Sequence, residues 1–84
     1  MTHQNIVAQV IELITQLPDM RSPAHITEKT GLTGDLGLDS LKVMDLVVLV
    51  EDHFDISVPV NELADIKTVG EFATLIGKIV DKHA

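Results

Sequence analysis

The sequence contains no cysteine, tryptophan or tyrosine, and only two phenylalanines among its 84 residues. Without cysteine there is no disulfide, thiolate metal ligand or thiol nucleophile, which fits a reducing compartment and makes the cytoplasm the expected location. Nucleic acid is a poor partner, because it needs basic side chains for its phosphates and aromatic ones for stacking. No apolar run approaches the ~20 residues that span a bilayer, and the N-terminus lacks the pattern of a signal peptide.

Basic residues are also scarce: the sequence has six Lys and Arg residues and thirteen Asp and Glu residues, which gives a net charge of −7. Between Asp35 and Asp65 the chain has eight acids and the single base Lys42, so this stretch alone carries 1 − 8 = −7. The rest of the chain is neutral. An acidic surface attracts basic proteins, so we expect partners with basic patches.

The length predicts one small domain over residues 1–84, with a modest core and no deep enzyme cleft. The four histidines are scattered and form no metal-binding or triad pattern, and the calcium loop with its distal Glu is absent. We therefore expect no metal site and no catalytic activity of its own. We also expect a monomer.

Apolar residues recur at three- and four-residue steps near the N-terminus, which predicts a first helix from about residue 3 to residue 17, ended by Pro18. The segment between Pro18 and Asp39 has no period and is predicted to be a long loop. Its apolar anchors should pin it to the core; they are Ile26, Leu32, Leu36 and Leu38.

A second helix is predicted from Ser40 to Phe54, with the Asp39 carboxylate as its N-cap. An extended linker should follow to Val60, and Asn61 is expected to cap a short helical turn through Asp65. The segment Thr68-Val69-Gly70-Glu71 is a capping box that opens the last helix. The predicted fold class is all-α, a small bundle of three main helices and one short helix.

The second helix carries more apolar residues than a core face needs. At about 100° per residue, one arc is sufficient for the core; it holds Val43, Leu46, Val47, Val50 and Phe54. Another arc combines Ser40 with Leu41, Met44, Val48 and Glu51. Such a strip is either an exposed surface for a partner or a second buried side of the helix, and periodicity does not separate the two.

A serine at a helix start is usually an N-cap. Here Asp39 can take that role, which would leave the Ser40 hydroxyl where a phosphate ester is stabilised by the helix dipole and open N–H groups. The glycines of the preceding run, Gly34-Asp35-Leu36-Gly37-Leu38, would keep its approach open.

The run from Gly34 to Leu41 resembles the phosphopantetheine attachment motif of acyl carrier proteins, in which the Ser of Asp-Ser-Leu carries the prosthetic arm. The resemblance continues through Glu51-Asp52-His53-Phe54-Asp55-Ile56-Ser57-Val58-Pro59 and Ile66-Lys67-Thr68-Val69-Gly70-Glu71-Phe72, and so covers the whole chain.

The resemblance implies that a phosphopantetheinyl transferase (holo-acyl-carrier-protein synthase) uses coenzyme A to attach 4′-phosphopantetheine to Ser40. The terminal thiol of the arm would then hold acyl groups as thioesters and present them to enzymes of fatty acid, modified lipid or polyketide biosynthesis. The family's cargo lies in a small cavity between helices. By the same resemblance, the residues expected to contact partner enzymes are Asp39, Leu41, Met44, Asp45, Val48, Glu51 and Asp52.

Lys42 departs from the family, because carriers of bulk fatty acid synthesis usually have an acid there. The loop with Arg21, Pro23, His25 and Lys29 also departs from the acidic housekeeping pattern. Both favour a specialised carrier with a dedicated pathway. The alternatives are an aminoacyl, D-alanyl or peptidyl carrier, and, outside carriers, an acidic helical adaptor in which Ser40 is only a cap.

Overall fold

A computed structural model describes residues 2–17 and 25–83 of the chain. The first helix, α1, spans His3–Ile14, and the Thr2 hydroxyl caps it by accepting the Asn5 N–H at 3.2 Å. It ends three residues before the predicted end, because the last turn tightens: the Leu17 N–H donates to the Ile14 carbonyl, three residues back, at 3.0 Å. Pro18, Arg21 and Pro23, which the sequence interpretation used, lie outside the described residues.

The second helix, α2, spans Ser40–Phe54, as predicted. It ends at Asp55, which adopts the left-handed conformation with φ 55°. The N–H groups of Asp55 and of Ile56 both turn back to the Glu51 carbonyl, and this closes the helix.

A short 3₁₀ helix spans Val60–Asp65. The prediction that Asn61 caps this turn is wrong: Pro59 occupies the N-cap position, and no side chain makes a capping hydrogen bond. Proline presets the backbone for the turn, and the Pro59 carbonyl accepts the Glu62 N–H at 3.2 Å. Asn61 therefore falls inside the helix.

The last helix, α3, spans Val69–His83. Thr68 caps it as predicted, since the Glu71 N–H donates to the Thr68 hydroxyl at 3.2 Å. The other half of the predicted capping box differs, because the Glu71 carboxylate accepts the Thr68 hydroxyl, at 3.3 Å, where a capping box has the backbone N–H of the N-cap residue. The same carboxylate also accepts the Lys67 N–H at 3.3 Å.

The described part of the interhelical loop is pinned to the core, as predicted. Leu32, Leu36 and Leu38 are buried and Ile26 is partly buried against them. The loop also contacts the start of α3 through an isolated antiparallel bridge between Gly31 and Thr68.

One hydrophobic cluster joins the three α-helices and this loop. Its largest fully buried members include Phe72 of α3, Ile6 and Ile14 of α1, and Leu46 of α2. Apart from the single bridge, the regular structure of the described residues is helical, which confirms the all-α prediction. None of the helices found in residues 2–17 and 25–83 has the length and apolarity needed to cross a membrane.

Candidate functional site at the start of the second helix

Ser40 is the exposed first residue of α2. The cap of this helix is the Asp39 side chain, whose Oδ1 accepts the Lys42 N–H at 2.9 Å. The interpretation of Ser40 as an N-cap is therefore wrong, and its hydroxyl stands at a helix start whose first turn is already capped. This placement suits an anionic substituent, because backbone N–H groups and the helix dipole are both directed toward it.

The loop that leads to Ser40 is shaped by its own hydrogen bonds. Asp35 Oδ2 accepts the Gly31 N–H at 2.7 Å, and the Leu38 N–H donates to the Leu32 carbonyl at 3.1 Å. Gly37 has φ 69°, a conformation that disfavours a side chain. A Cβ built on Gly34 would meet no atom of the described residues within 4 Å, so the space at this point does not depend on glycine.

The apolar strip on α2 lies in solvent. Leu41 is 77% exposed, Val48 is 55% exposed and Met44 is 37% exposed. The core side of the helix is instead formed by Leu46, Val47 and Val50, which are buried, with Val43 and Phe54 partly buried beside them. The structure thus decides between the two interpretations of the strip: it is a surface and not a second buried side.

The predicted acidic residues divide into two kinds. Asp39, Asp45 and Asp52 are exposed, whereas Glu51 is half-buried. Glu51 Oε2 accepts the Val58 N–H at 2.9 Å, so its carboxylate anchors the linker that follows α2. Sequence reasoning missed this role, because the contact joins residues seven apart through a turn that no local pattern predicts.

A cleft of about 480 Å³ opens beside Ser40, between α2 and the 3₁₀ helix; we call it the Ser40 cleft. Leu32 and Phe72 are its buried residues, and Val43, Leu63 and Ile66 are half-buried. The remaining lining residues are exposed and form its rim: Thr33, Ser40, Met44, Val60, Ala64 and Lys67. The lining is therefore apolar in depth and mixed at the rim.

Four of the described rim residues were not predicted as part of the site; they are Thr33, Val60, Ala64 and Lys67. Val60 is 60% exposed and, together with Met44, gives the rim apolar side chains from two different elements. A signal for Val60 existed in the sequence, because a valine directly before Asn61-Glu62 is out of place in a polar turn. Among the residues that the structure describes, Lys67 is the only charged one that lines the cleft.

Lys42, which the sequence interpretation emphasised, does not line the Ser40 cleft. It is half-buried and lies two residues after Ser40, about 200° around the helix axis. Its charge therefore lies on a different side of α2 from the side that lines the Ser40 cleft.

Residues 5–76 match the model of the phosphopantetheine attachment site family. The chain belongs to this family of acyl carrier proteins. It is 30% identical over 82 residues to the meromycolate extension acyl carrier protein of Mycobacterium leprae, covering 98% of this chain and 70% of that protein. An acyl carrier protein of Amoebophilus asiaticus is 39% identical over 57 residues, covering 68% of this chain and 71% of the relative.

The fold is also similar to a solved structure from Mycobacterium tuberculosis that is described as an acyl carrier protein, with a TM-score of 0.67 and 32% identity. The match covers 90% of this chain and 95% of the solved one. As a family member, the protein carries acyl groups on phosphopantetheine. The site fits that group, because it offers an exposed serine that is not a cap and an adjoining apolar cleft.

Proposed function

We propose that Ser40 is the residue that receives 4′-phosphopantetheine, and that this carrier serves a dedicated pathway of modified lipid synthesis. The attachment to Ser40 is supported by the arrangement at the start of α2, where Asp39 provides the cap and Ser40 is exposed. In the attachment reaction, the Ser40 oxygen forms a bond to the phosphorus of coenzyme A that bears the pantetheine. The pyrophosphate bond breaks, the adenosine bisphosphate leaves, and the transferase takes the serine proton.

The helix start stabilises the product of that reaction. The phosphodiester on Ser40 would lie at the positive end of α2, a 15-residue helix, where its charge interacts favourably with the helix dipole. Bound there, the arm supplies a thiol that holds acyl groups as thioesters. The chain positions the arm and its acyl group, and the partner enzymes catalyse the reactions.

The Ser40 cleft is suited to the apolar part of the cargo. Its depth is lined by Leu32 and Phe72, and its opening includes Ser40 itself, so a chain held at the end of a flexible arm can reach it. Burying the cargo removes apolar surface from water. It would also keep the thioester away from unintended nucleophiles while the carrier is between enzymes.

Partner enzymes would dock on α2. The exposed strip of Leu41, Met44 and Val48 provides apolar contact, and the exposed carboxylates of Asp39, Asp45 and Asp52 surround it. Exposed charges contribute orientation and fast encounter more than affinity, which suits a carrier that must leave each enzyme after one step. Glu51 contributes charge to this face, while its carboxylate also holds the linker.

The dedicated pathway is supported by the relatives. Several that match over 98% of this chain are named for meromycolate extension, a process that builds a modified lipid. The base at Lys42 agrees with partners other than those of bulk fatty acid synthesis. The mass of the group attached in the native cell would identify the cargo; an amino acid there would contradict the acyl assignment.

Intact mass measurement tests the attachment residue. After incubation with coenzyme A and a broad-specificity phosphopantetheinyl transferase, we expect the protein to gain the mass of one phosphopantetheine and Ser40→Ala to gain none. Ser57→Ala is the matched control, because Ser57 is an exposed serine in the linker. A gain in mass by Ser40→Ala, or none by the parent protein with several transferases, would contradict the proposal.

A further inference from the structure

The rim of the Ser40 cleft carries a charge opposite to that of the protein. The chain has a net charge of −7, yet the one charged side chain that lines the cleft within residues 2–17 and 25–83 is that of Lys67. Ser40 lines the same cleft. A cation therefore shares this opening with the residue that receives the arm.

The backbone of Lys67 is held in place from two sides. Its carbonyl accepts the Leu32 N–H at 2.9 Å, and its N–H donates to Glu71 Oε1 at 3.3 Å. These bonds tie it to the loop before Ser40 and to the start of α3. The base of the side chain is thus fixed, while its four-carbon stem lets the ammonium adjust.

Within residues 2–17 and 25–83, no carboxylate lies within ion-pair distance of the Lys67 ammonium. Glu71 is adjacent, but its carboxylate is engaged with the Lys67 N–H and the Thr68 hydroxyl. In a protein with more than twice as many acids as bases, this leaves the cation able to take an anionic ligand.

We propose that the Lys67 ammonium pairs with the phosphodiester that joins the arm to Ser40, and so positions the start of the arm at the mouth of the Ser40 cleft. This inference rests on the proposed attachment at Ser40. Lysine is a compact point charge that suits a phosphate. The pairing would offset the repulsion that the acidic stretch from Asp35 to Asp65 exerts on an anion attached at its centre.

The test compares lysine reactivity in the apo and holo forms. A brief, limiting treatment with acetic anhydride is followed by mass measurement of acetylation at each lysine. A nearby negative charge favours the protonated amine, which does not react. Two unit charges 4 Å apart in water interact by about 1 kcal/mol, so we expect Lys67 to react about two- to fivefold more slowly in the holo form.

Lys78 is the matched control, because it is exposed on α3 and lines a different cleft that Ser40 does not share. Its reactivity should be the same in both forms. The Lys67 difference should largely vanish in about 1 M salt, where charges are screened over roughly 3 Å. A difference that persists there would mean that the arm only covers Lys67, and would overturn the pairing.

The phosphorus resonance of the holo protein gives a second measurement. Lys67→Gln should shift it and Lys78→Gln should not. Equal reactivity of Lys67 in the two forms, with no phosphorus shift in Lys67→Gln, would overturn the pairing but leave the attachment to Ser40 intact. If no holo form can be made, both proposals fail together.

Discussion

Gly70 is the point where the loop before the site lies against the start of α3. A Cβ built on Gly70 would lie 3.0 Å from both the carbonyl oxygen and the Cβ of Glu28. The obstructing oxygen belongs to the backbone, so it cannot move away by rotating a side chain. Gly70→Ala should therefore push the loop away from the helix.

The size of the effect follows from the hydrogen bonds at this contact. The Gly70 N–H donates to the Glu28 carbonyl at 2.9 Å, and the Val69 N–H donates to the Thr30 carbonyl at 3.0 Å. Each bond contributes about 1 kcal/mol, and alanine gains up to about 1 kcal/mol over glycine inside a helix. Weakening these bonds and the neighbouring one from Leu32 to Lys67 should make Gly70→Ala less stable than the parent by about 1 to 2 kcal/mol.

Gly77→Ala is the matched control. It is the same substitution in the same helix, but its Cβ would meet only Ile6 Cδ1, at 3.4 Å. We expect Gly77→Ala to be as stable as the parent or more stable by up to about 1 kcal/mol. Urea denaturation of the apo protein measures both. Equal free energies of unfolding for the two variants would refute the reasoning that close backbone contact at Gly70 pins the loop.

Two further predictions concern α2. Asp45→Lys should slow modification by the transferase at low salt, because it reverses an exposed charge that steers basic partners, and the deficit should shrink as salt is added. Glu12→Lys on α1 changes the net charge equally; the steering argument fails if it slows modification as much. Asp39→Ala should cost about 1 kcal/mol of stability through loss of the bond from the Lys42 N–H, whereas Asp39→Ser should retain most of it, as urea denaturation can show. Equal stability of the two variants would contradict the capping role.

Local patterns predicted those parts of the site that lie within one element. The period of α2 separated the core residue Leu46 from the exposed Leu41, and a carboxylate just before the helix predicted the Asp39 cap. Both inferences depend on positions a few residues apart, where helix geometry alone sets the relation between side chains.

Glu51 shows where that reasoning stops. Helical periodicity put it on the arc of the apolar strip, and the family resemblance put it among the partner contacts. The linker, however, turns back after Asp55 and brings the Val58 N–H onto its carboxylate. The 3₁₀ helix shows the same limit, because Pro59 and not Asn61 stands at its start. In both cases the outcome depends on the path of the chain after a helix ends.

Basic residues are scarce in this sequence, and one of them, Lys67, lines the cleft. By itself, the sequence determined the helices, the second apolar arc on α2 and the likeness of the Ser40 segment to an attachment motif, because these depend on neighbours along the chain. Only the tertiary structure decided that Lys67, and not Lys42, shares the cleft with Ser40. Lys67 is 27 positions from Ser40 in the sequence, and it reaches the cleft because packing brings the 3₁₀ helix and the start of α3 against α2.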